Sequence, residues 1–341
     1  MQRRIYRDAV GEIKSSPPLG LAPGTGIRLN LMPSRPDARG ADPCLLGAVA
    51  DPSQWQRMTM PPKRSLLITG CSSGIGLTCA LGLARRGWQV IASARKADDV
   101  IRLEAQGLCA IRLDLDDPAG IRAGLARTLE LTGGTLTALF NNGAYGQPGA
   151  VEDLSREVLR AQLETNLLGW HDLTCQVIPI MRHQGHGRIV QNSSILGFIP
   201  LPYRGAYVAS KYALEGLTDT LRLELRGTGI SVSLIEPGPI LSRFRENAYA
   251  AFKANIDSDR SAHRLAYARA ETRLTRAGAA QPFTLPAEAV LKKLVHALES
   301  PRPRTRYAVT LPTRLFAVLK RVLPDRALDR VIALISRDGA G

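Results

Sequence analysis

From residue 65 onward, short apolar runs alternate with longer stretches of helical period. Residues 65–69 (Ser-Leu-Leu-Ile-Thr) form one such run, closed by Gly70, and predict a short buried strand. A glycine turn over 70–76 follows, then a helix over 77–86 that Gly87 ends. Further strands are predicted at 89–94, 109–113, 137–140, 187–191 and 230–235. Helical segments fill the gaps, at 151–169 running on to 182 and at 206–226. Strands alternating with helices predict an α/β fold, a parallel sheet with helices on both faces. Ligands of such sheets bind at the carboxyl ends of the strands.

The two flanks read differently. Residues 1–60 are rich in Pro, Gly and Arg and carry no helical or strand period. They are expected to be a disordered extension or a mis-assigned start, with Met58 or Met60 the first residue. An Arg-rich transit peptide is disfavoured by Asp8, Glu12, Asp37, Asp42 and Asp51. Residues 243–285 show no clear strand. Their aromatic residues Phe244, Tyr249, Phe252 and Tyr267 are spread among charges, as in a helical lid. A helix is predicted at 287–299, then a basic amphipathic stretch over 311–335. There Leu315, Val318, Leu319 and Val322 share a face, and Lys320 and Arg321 lie off it. The organisation expected is an extension (1–60), a single catalytic domain with its lid (61–300) and a tail (301–341). The tail is expected to pack on the sheet domain or a second subunit, with weak peripheral membrane contact as the alternative.

Composition narrows the class. In 341 residues, 45% are hydrophobic and 22% charged, which fits a globular protein and excludes disorder along the whole length. No apolar run is long enough to cross a bilayer. Five cysteines lack a C-x-x-C spacing and five histidines lack H-E-x-x-H, so neither a disulfide framework nor a zinc site is expected. The net charge of +15 suggests nucleic acid until it is located. Residues 61–242 hold 18 basic and 16 acidic side chains, whereas residues 243–341 hold 19 and 9. The excess lies outside the segment that carries the chemistry, so no nucleic-acid partner is expected.

Three motifs carry that chemistry. The first is Thr69-Gly-Cys-Ser-Ser-Gly-Ile-Gly76, which follows a strand and opens a helix. Gly70, Gly74 and Gly76 let the backbone approach a pyrophosphate, which the helix N-terminus attracts. This is the setting of a Rossmann-type, doubly wound dinucleotide site. The second is the end of the next strand. An NAD site places an acid about twenty residues on, to hold the ribose 2′-hydroxyl. Here Ala94 occupies that place, and Arg95 and Lys96 follow. A guanidinium forks onto a 2′-phosphate, and Ser73 adds a hydroxyl, so NADP(H) is expected. The third is Tyr207-Val-Ala-Ser-Lys211, whose ends share a helix face. A nearby ammonium lowers a phenol's pKa and fits it for proton transfer. Ser194, thirteen residues upstream, is placed to hold a carbonyl oxygen beside that phenol.

Taken together, these motifs with Asp114, Asn141-Asn142, Asn166 and Pro237-Gly238 resemble the classical short-chain dehydrogenase/reductases over about 65–242. Within that family the chain looks most like bacterial NADP-dependent aldehyde reductases, which in turn resemble 17-beta-hydroxysteroid and retinol dehydrogenases. The resemblance implies a catalytic set of Asn166, Ser194, Tyr207 and Lys211. Tyr207 would be the general acid in reduction. Lys211 would lower its pKa and bind the ribose. Asn166 would hold a water linking Lys211 to solvent. The implied cofactor set is Gly70, Ser72, Ser73, Gly74, Ile75, Gly76, Arg95, Asp114, Leu115, Asn141, Tyr207, Lys211, Pro237, Ile240 and Ser242. In it Asp114 would bind the adenine amine, Asn141 would lie near the adenosine ribose, and Ile240 and Ser242 would flank the carboxamide. The family's Asn-Asn-Ala-Gly stands here as Asn141-Asn-Gly-Ala144, which predicts strain at Ala144 if the backbone there needs φ > 0.

The function expected is hydride transfer between NADP(H) and a lipophilic aldehyde or ketone, or the corresponding alcohol. Hydroxysteroid or retinol dehydrogenase activity is one alternative, and a non-catalytic nucleotide-sensing scaffold is another. The pocket walls expected are 144–150, 196–203 and the lid after Ser242. The wall Phe198-Ile-Pro-Leu-Pro-Tyr203 is apolar and lacks the basic residue that an anionic substrate calls for. A cytoplasmic homo-oligomer is expected.

Overall fold

The computed structural model describes residues 64–275 and 282–338. The extension predicted over 1–60 lies outside the described residues. The first strand, β1 (Ser65–Ile68), runs into the glycine turn and α1 (Gly74–Ala84). Then come β2 (Gln89–Ala94), α2 (Ala97–Glu104), β3 (Cys109–Arg112), α3 (Pro118–Thr132) and β4 (Ala138–Asn141). Next are α4 (Arg156–Leu163), a π turn (Glu164–Leu168), α5 (Gly169–Gln184) and β5 (Gly187–Asn192). The set continues with α6 (Gly205–Glu224), β6 (Ile230–Glu236), α7 (Phe244–Asn255), α8 (Arg264–Thr275) and α9 (Glu288–Glu299). It ends with β7 (Arg306–Ala308), α10 (Leu311–Val322) and α11 (Asp325–Asp338).

The seven strands form one parallel sheet in the order β3-β2-β1-β4-β5-β6-β7. The order reverses between β1 and β4, and loops leaving those strands in opposite directions open a crevice there. The sheet is covered on both faces. On one, Leu66, Ile68 and Phe140 pack under α1 and α9 with Cys79, Leu83, Val290 and Leu294. On the other, Leu67, Ile91, Leu139 and Ile189 pack under α3, α5 and α6 with Ile121, Trp170, Leu173 and Leu214. Alternate residues of β1 thus enter opposite cores, which is why its sequence is apolar throughout.

Three predicted boundaries move. The helix predicted to run from 151 to 182 is interrupted by the π turn, which lodges the buried Asn166. The amphipathic stretch 311–335 breaks at Leu323-Pro324 into α10 and α11, because proline lacks the N–H that would continue the helix. The tail predicted from 301 is not separate from the domain. It contributes β7, paired to β6 from Leu234↔Arg306 to Glu236↔Ala308. Its helices also pack Phe316, Leu328 and Ile332 on Ile199. Within α10, Leu315, Val318 and Val322 remain exposed. No helix among the described residues is long and apolar enough to cross a membrane.

Arg306 pins β7 to the domain. Its guanidinium bonds Glu215 and Asp219 of α6, and donates to Glu236 of β6 at 2.7 Å. Burial pushes Glu215 up to about 7 despite this partner, and Glu236 is also raised by burial. Arg306→Met keeps the stem and removes the charge, leaving two buried carboxylates without a counter-ion. Such acids bind protons more tightly when folded than when unfolded, so their penalty is small at low pH and grows as pH rises through the folded pKa. The variant is expected to lose about 3 kcal/mol at pH 8, the lower end for breaking a buried pair. It should lose much less at pH 5, where the acids are protonated. Denaturant melts at the two pH values measure the difference.

Candidate active site

The site assembles where the glycine turn, the ends of β4 and β5, and the start of α6 meet. Gly70 has φ 70° and a neighbour only glycine tolerates, since a Cβ there would lie 2.4 Å from the Cα of Gly143. Gly74 has φ 55°, and a Cβ there would press on the Ser242 side chain at 2.9 Å. At the head of α1, Ser73 has extended backbone and makes no side-chain cap, so the first N–H groups of the helix keep their donors for a ligand. Ser72, Ser73, Gly74, Ile75 and Gly76 line one side of a cavity of about 380 Å³. Ser194, Tyr207, Lys211, Pro237, Ile240 and Ser242 line it as well. A cradle of bare backbone N–H groups beside a phenol fits a dinucleotide's phosphates and nicotinamide.

Asn142 ties the turn to the rest of the site. Its Nδ2 donates to the carbonyls of Thr69 (3.0 Å) and Gly70 (3.1 Å), and its Oδ1 accepts from Asn192 Nδ2 at 2.9 Å. Thr69 Oγ1 accepts from the backbone N–H groups of Asn142 and Gly143, both at 2.9 Å. Asn192 in turn presents its carbonyl to Lys211 Nζ at 2.9 Å. Lys211 is buried, and its ammonium lies 4.0 Å above the Trp170 ring. The Trp170 indole N–H donates to the Gly143 carbonyl at 2.7 Å. Burial draws Lys211 down to about 7, and the Glu215 carboxylate one turn further along α6 opposes the shift.

Tyr207 and Ser194 lie side by side. Burial pushes the phenol up to about 12, and the Ser194 hydroxyl pulls it back. Lys211 stands one turn further along α6. Its Nζ is directed to Asn192 and Trp170 and stands 5.8 Å from the centre of the Tyr207 ring. Desolvation therefore dominates, and Tyr207 is a neutral phenol at physiological pH. Phe244, the first residue of α7, packs edge-on against it at 5.3 Å between ring centres. Ser194 also caps the short 3-10 turn after β5, accepting from Leu196 N at 3.1 Å.

The remaining predicted residues fall in two groups. Arg95 is exposed at the end of β2, and Arg112 Nε donates to its carbonyl at 3.3 Å. Asp114 closes the turn after β3 by accepting from Asp116 N at 3.3 Å, and Leu115 is buried under Gly143. These three lie outside the cavity walls, just beyond the ends of β2 and β3, and Cys71 N→Ser93 O (2.8 Å) joins the glycine turn to β2. The side chains of the other group turn inward, and Asn141 Oδ1 is left without a partner among the described residues. Asn141 is buried and donates to Thr174 Oγ1 at 2.9 Å, away from the groove. Asn166 holds Tyr145 N and O at 3.1 and 2.8 Å and Ser210 Oγ at 3.3 Å. Its amide therefore has no donor left for a water. Ala144 shows no positive φ, so the swapped glycine and alanine bring no strain. Gly143 occupies the position that must touch Gly70.

The sequence reading missed Asn142 as a link, Trp170 beneath Lys211, and Glu215 behind it. It also stopped one residue short at Tyr203. Arg204 lines the cavity, as do Arg243, Arg245 and Arg273 from the lid. The excess of basic residues after 243 was the signal for them.

The family described as short chain dehydrogenase matches residues 64–252, more than half the chain. This chain belongs to the short-chain dehydrogenases. The uncharacterized oxidoreductase YbbO of Escherichia coli K12 is 44% identical over 79% of this chain and 94% of that protein. Human 17-beta-hydroxysteroid dehydrogenase type 1 is 30% identical over 81% of this chain and 86% of that one. Among solved structures, a short-chain dehydrogenase from Burkholderia phymatum in complex with NAD superposes with a TM-score of 0.64 at 26% identity. It covers 76% of this chain and 93% of that chain. This short-chain dehydrogenase is thus an NAD(P)-dependent oxidoreductase acting on CH–OH groups.

Gly74→Ala tests the cradle. The left-handed backbone disfavours a Cβ by about 1–2 kcal/mol, and the Cβ would also crowd Ser242. Affinity for NADH and NADPH alike, followed by fluorescence titration, should fall by at least about tenfold, the equivalent of about 1.4 kcal/mol.

Proposed function

We propose that the chain is an NADPH-preferring reductase of an aldehyde or ketone with an apolar body. The observation that carries this reading is the neutral Tyr207 phenol beside Ser194, opening on the cavity that the glycine turn lines. A phenol is protonated at working pH, and the alkoxide that forms as a carbonyl is reduced is the stronger base, so the proton can pass from one to the other.

In the reaction proposed, Ser194 and Tyr207 hold the carbonyl oxygen. A reduced nicotinamide held there would supply a hydride, a proton with two electrons, to the carbonyl carbon and would itself be oxidised. The C=O bond becomes a single bond, the Tyr207 O–H bond breaks, and its proton goes to the oxygen to give the alcohol. Lys211, one turn along α6 from the phenol, would bind the ribose. Asn166 acts by position, tying the π turn to Tyr145 and Ser210. Pro237, Ile240 and Ser242 line the nicotinamide end. Leu196, Leu201 and Phe244 receive the apolar body.

Preference for NADPH rests on Arg95, with Arg112 beside it and the small, buried Ala94 in place of an acid. Asp114 and Leu115 take the adenine side, and Asn141 contributes there through its main chain. A lipophilic carbonyl compound is the favoured case, because the wall between Leu196 and Tyr203 is apolar.

Two outcomes follow. Tyr207→Phe should leave NADPH affinity nearly unchanged and lower carbonyl-reductase turnover by about 10²–10⁴-fold, the usual contribution of a positioned acid. Arg95→Ala should raise the KM for NADPH by about ten- to a hundredfold, the worth of one hydrogen bond between charged groups, and barely change that for NADH. Steady-state kinetics with both cofactors on a panel of aldehydes and ketones measures each. Equal use of NADH and NADPH by the wild type would refute the cofactor assignment.

A further inference from the structure

We propose that the substrate of this site carries an anionic end group, and that Arg204 and Arg273 bind it in the cavity that Tyr207 also lines. The inference rests on the carbonyl-reductase reading above and narrows its substrate class.

Arg204 stands immediately before α6, three residues from Tyr207. Tyr203 before it has φ 60°, a left-handed conformation that is unusual for a residue with a Cβ. This sends the two side chains apart. Tyr203 packs edge-on against His263 and Tyr267 of the lid, while Arg204 lines the cavity. The Arg204 guanidinium donates to the Tyr203 carbonyl at 3.3 Å. Among the described residues no carboxylate lies within ion-pair distance of it. Burial draws its pKa down to about 9, and Arg273 adds to the shift. Arg273, near the end of α8, lines the same cavity and is depressed by burial and by Arg245. It too has no acidic partner among the described residues.

Arg204 and Arg273 are half-buried, and a partly desolvated guanidinium without a counter-charge is costly. The acids nearby are engaged elsewhere. Asp153 is held by Ser261 and Tyr267, and Glu152 by His263. Glu246 is held by Arg243, and Glu271 by Lys253. The lid therefore brings positive charge to the cavity and keeps its own negative charge away. The missing counter-charge is best supplied by the ligand. A carboxylate suits the planar fork of a guanidinium and accepts from two of them at once. Leu201, Phe244 and Leu274 also line the cavity and suit the apolar stem that joins such an acid to the carbonyl. The apolar wall over 198–203 remains, but the cationic residues flank it from Arg204 and from α8.

The test compares aldehydes that differ only in their far end. Hexanal is set against adipate semialdehyde, and nonanal against azelaic semialdehyde, with full-length enzyme and saturating NADPH. The acid of at least one pair should have a kcat/KM about ten- to a hundredfold higher, the worth of one hydrogen bond to a charged group. In Arg204→Gln and in Arg273→Gln the ratio of acid to neutral aldehyde should fall toward one. Arg204→Lys, which keeps the charge but not the fork, should retain part of the ratio and guards against a folding defect. Turnover of both members of each pair with equal kcat/KM would overturn this inference and leave the reductase reading standing. Turnover of neither, nor of any other carbonyl tried, would overturn both. If Arg204→Gln and Arg273→Gln weaken NADPH binding and leave the ratio intact, the arginines belong to the cofactor and the inference fails.

Discussion

The site depends on one buried ammonium. Lys211 enters the interior between the Asn192 carbonyl and the face of Trp170, with Glu215 one helical turn behind it. A desolvated amine in that position is stable only if its surroundings are already fixed. Every fixing contact is also a contact of the cofactor crevice. Asn192 reaches Asn142, which holds the carbonyls of the glycine turn. Trp170 holds Gly143, which must lie against Gly70. Five segments far apart in sequence thus share one polar chain, and the Tyr207 ring lies 5.8 Å from its ammonium.

The periphery serves the same centre. The C-terminal strand β7 brings Arg306 to Glu215 and Glu236, so residues beyond 300 set the electrostatics behind Lys211. The lid works from the other side. Phe244 covers Tyr207, and the Tyr203, His263 and Tyr267 rings fasten the lid to the loop that carries Arg204. Cofactor side and substrate side are therefore built from different elements around one fixed core. This division lets members of a family share chemistry while differing in substrate.

Much of this was legible in the sequence because it is local. The strand-glycine-helix order and the Tyr207/Lys211 spacing depend on nearest neighbours, and the alternation of strands and helices implies the parallel sheet. What was not legible is tertiary. Asn141 and Asn142 read alike, yet alternation along the chain sends one to Thr174 and the other to the glycine turn. The Asn166 amide looked free for water, but the π turn aims it at Tyr145. The short strand β7 is three residues long and carries no period of its own, so it read as tail. Arg204 and Arg273 are sixty-nine positions apart, and only the folded lid brings both to one cavity. The sign of the Tyr207 shift also depends on distance and burial, which spacing on a helix does not supply.

The central claim is that Lys211 is a desolvated amine. The direct measurement is an NMR titration of the lysine side chains in isotopically labelled protein, with the Lys211 signal identified by its loss in Lys211→Met. The account predicts that Lys211 titrates near 7, well below a lysine in water, because burial disfavours its charge. A Lys211 pKa at the ordinary value of about 10.4 would show a solvated amine and contradict the account.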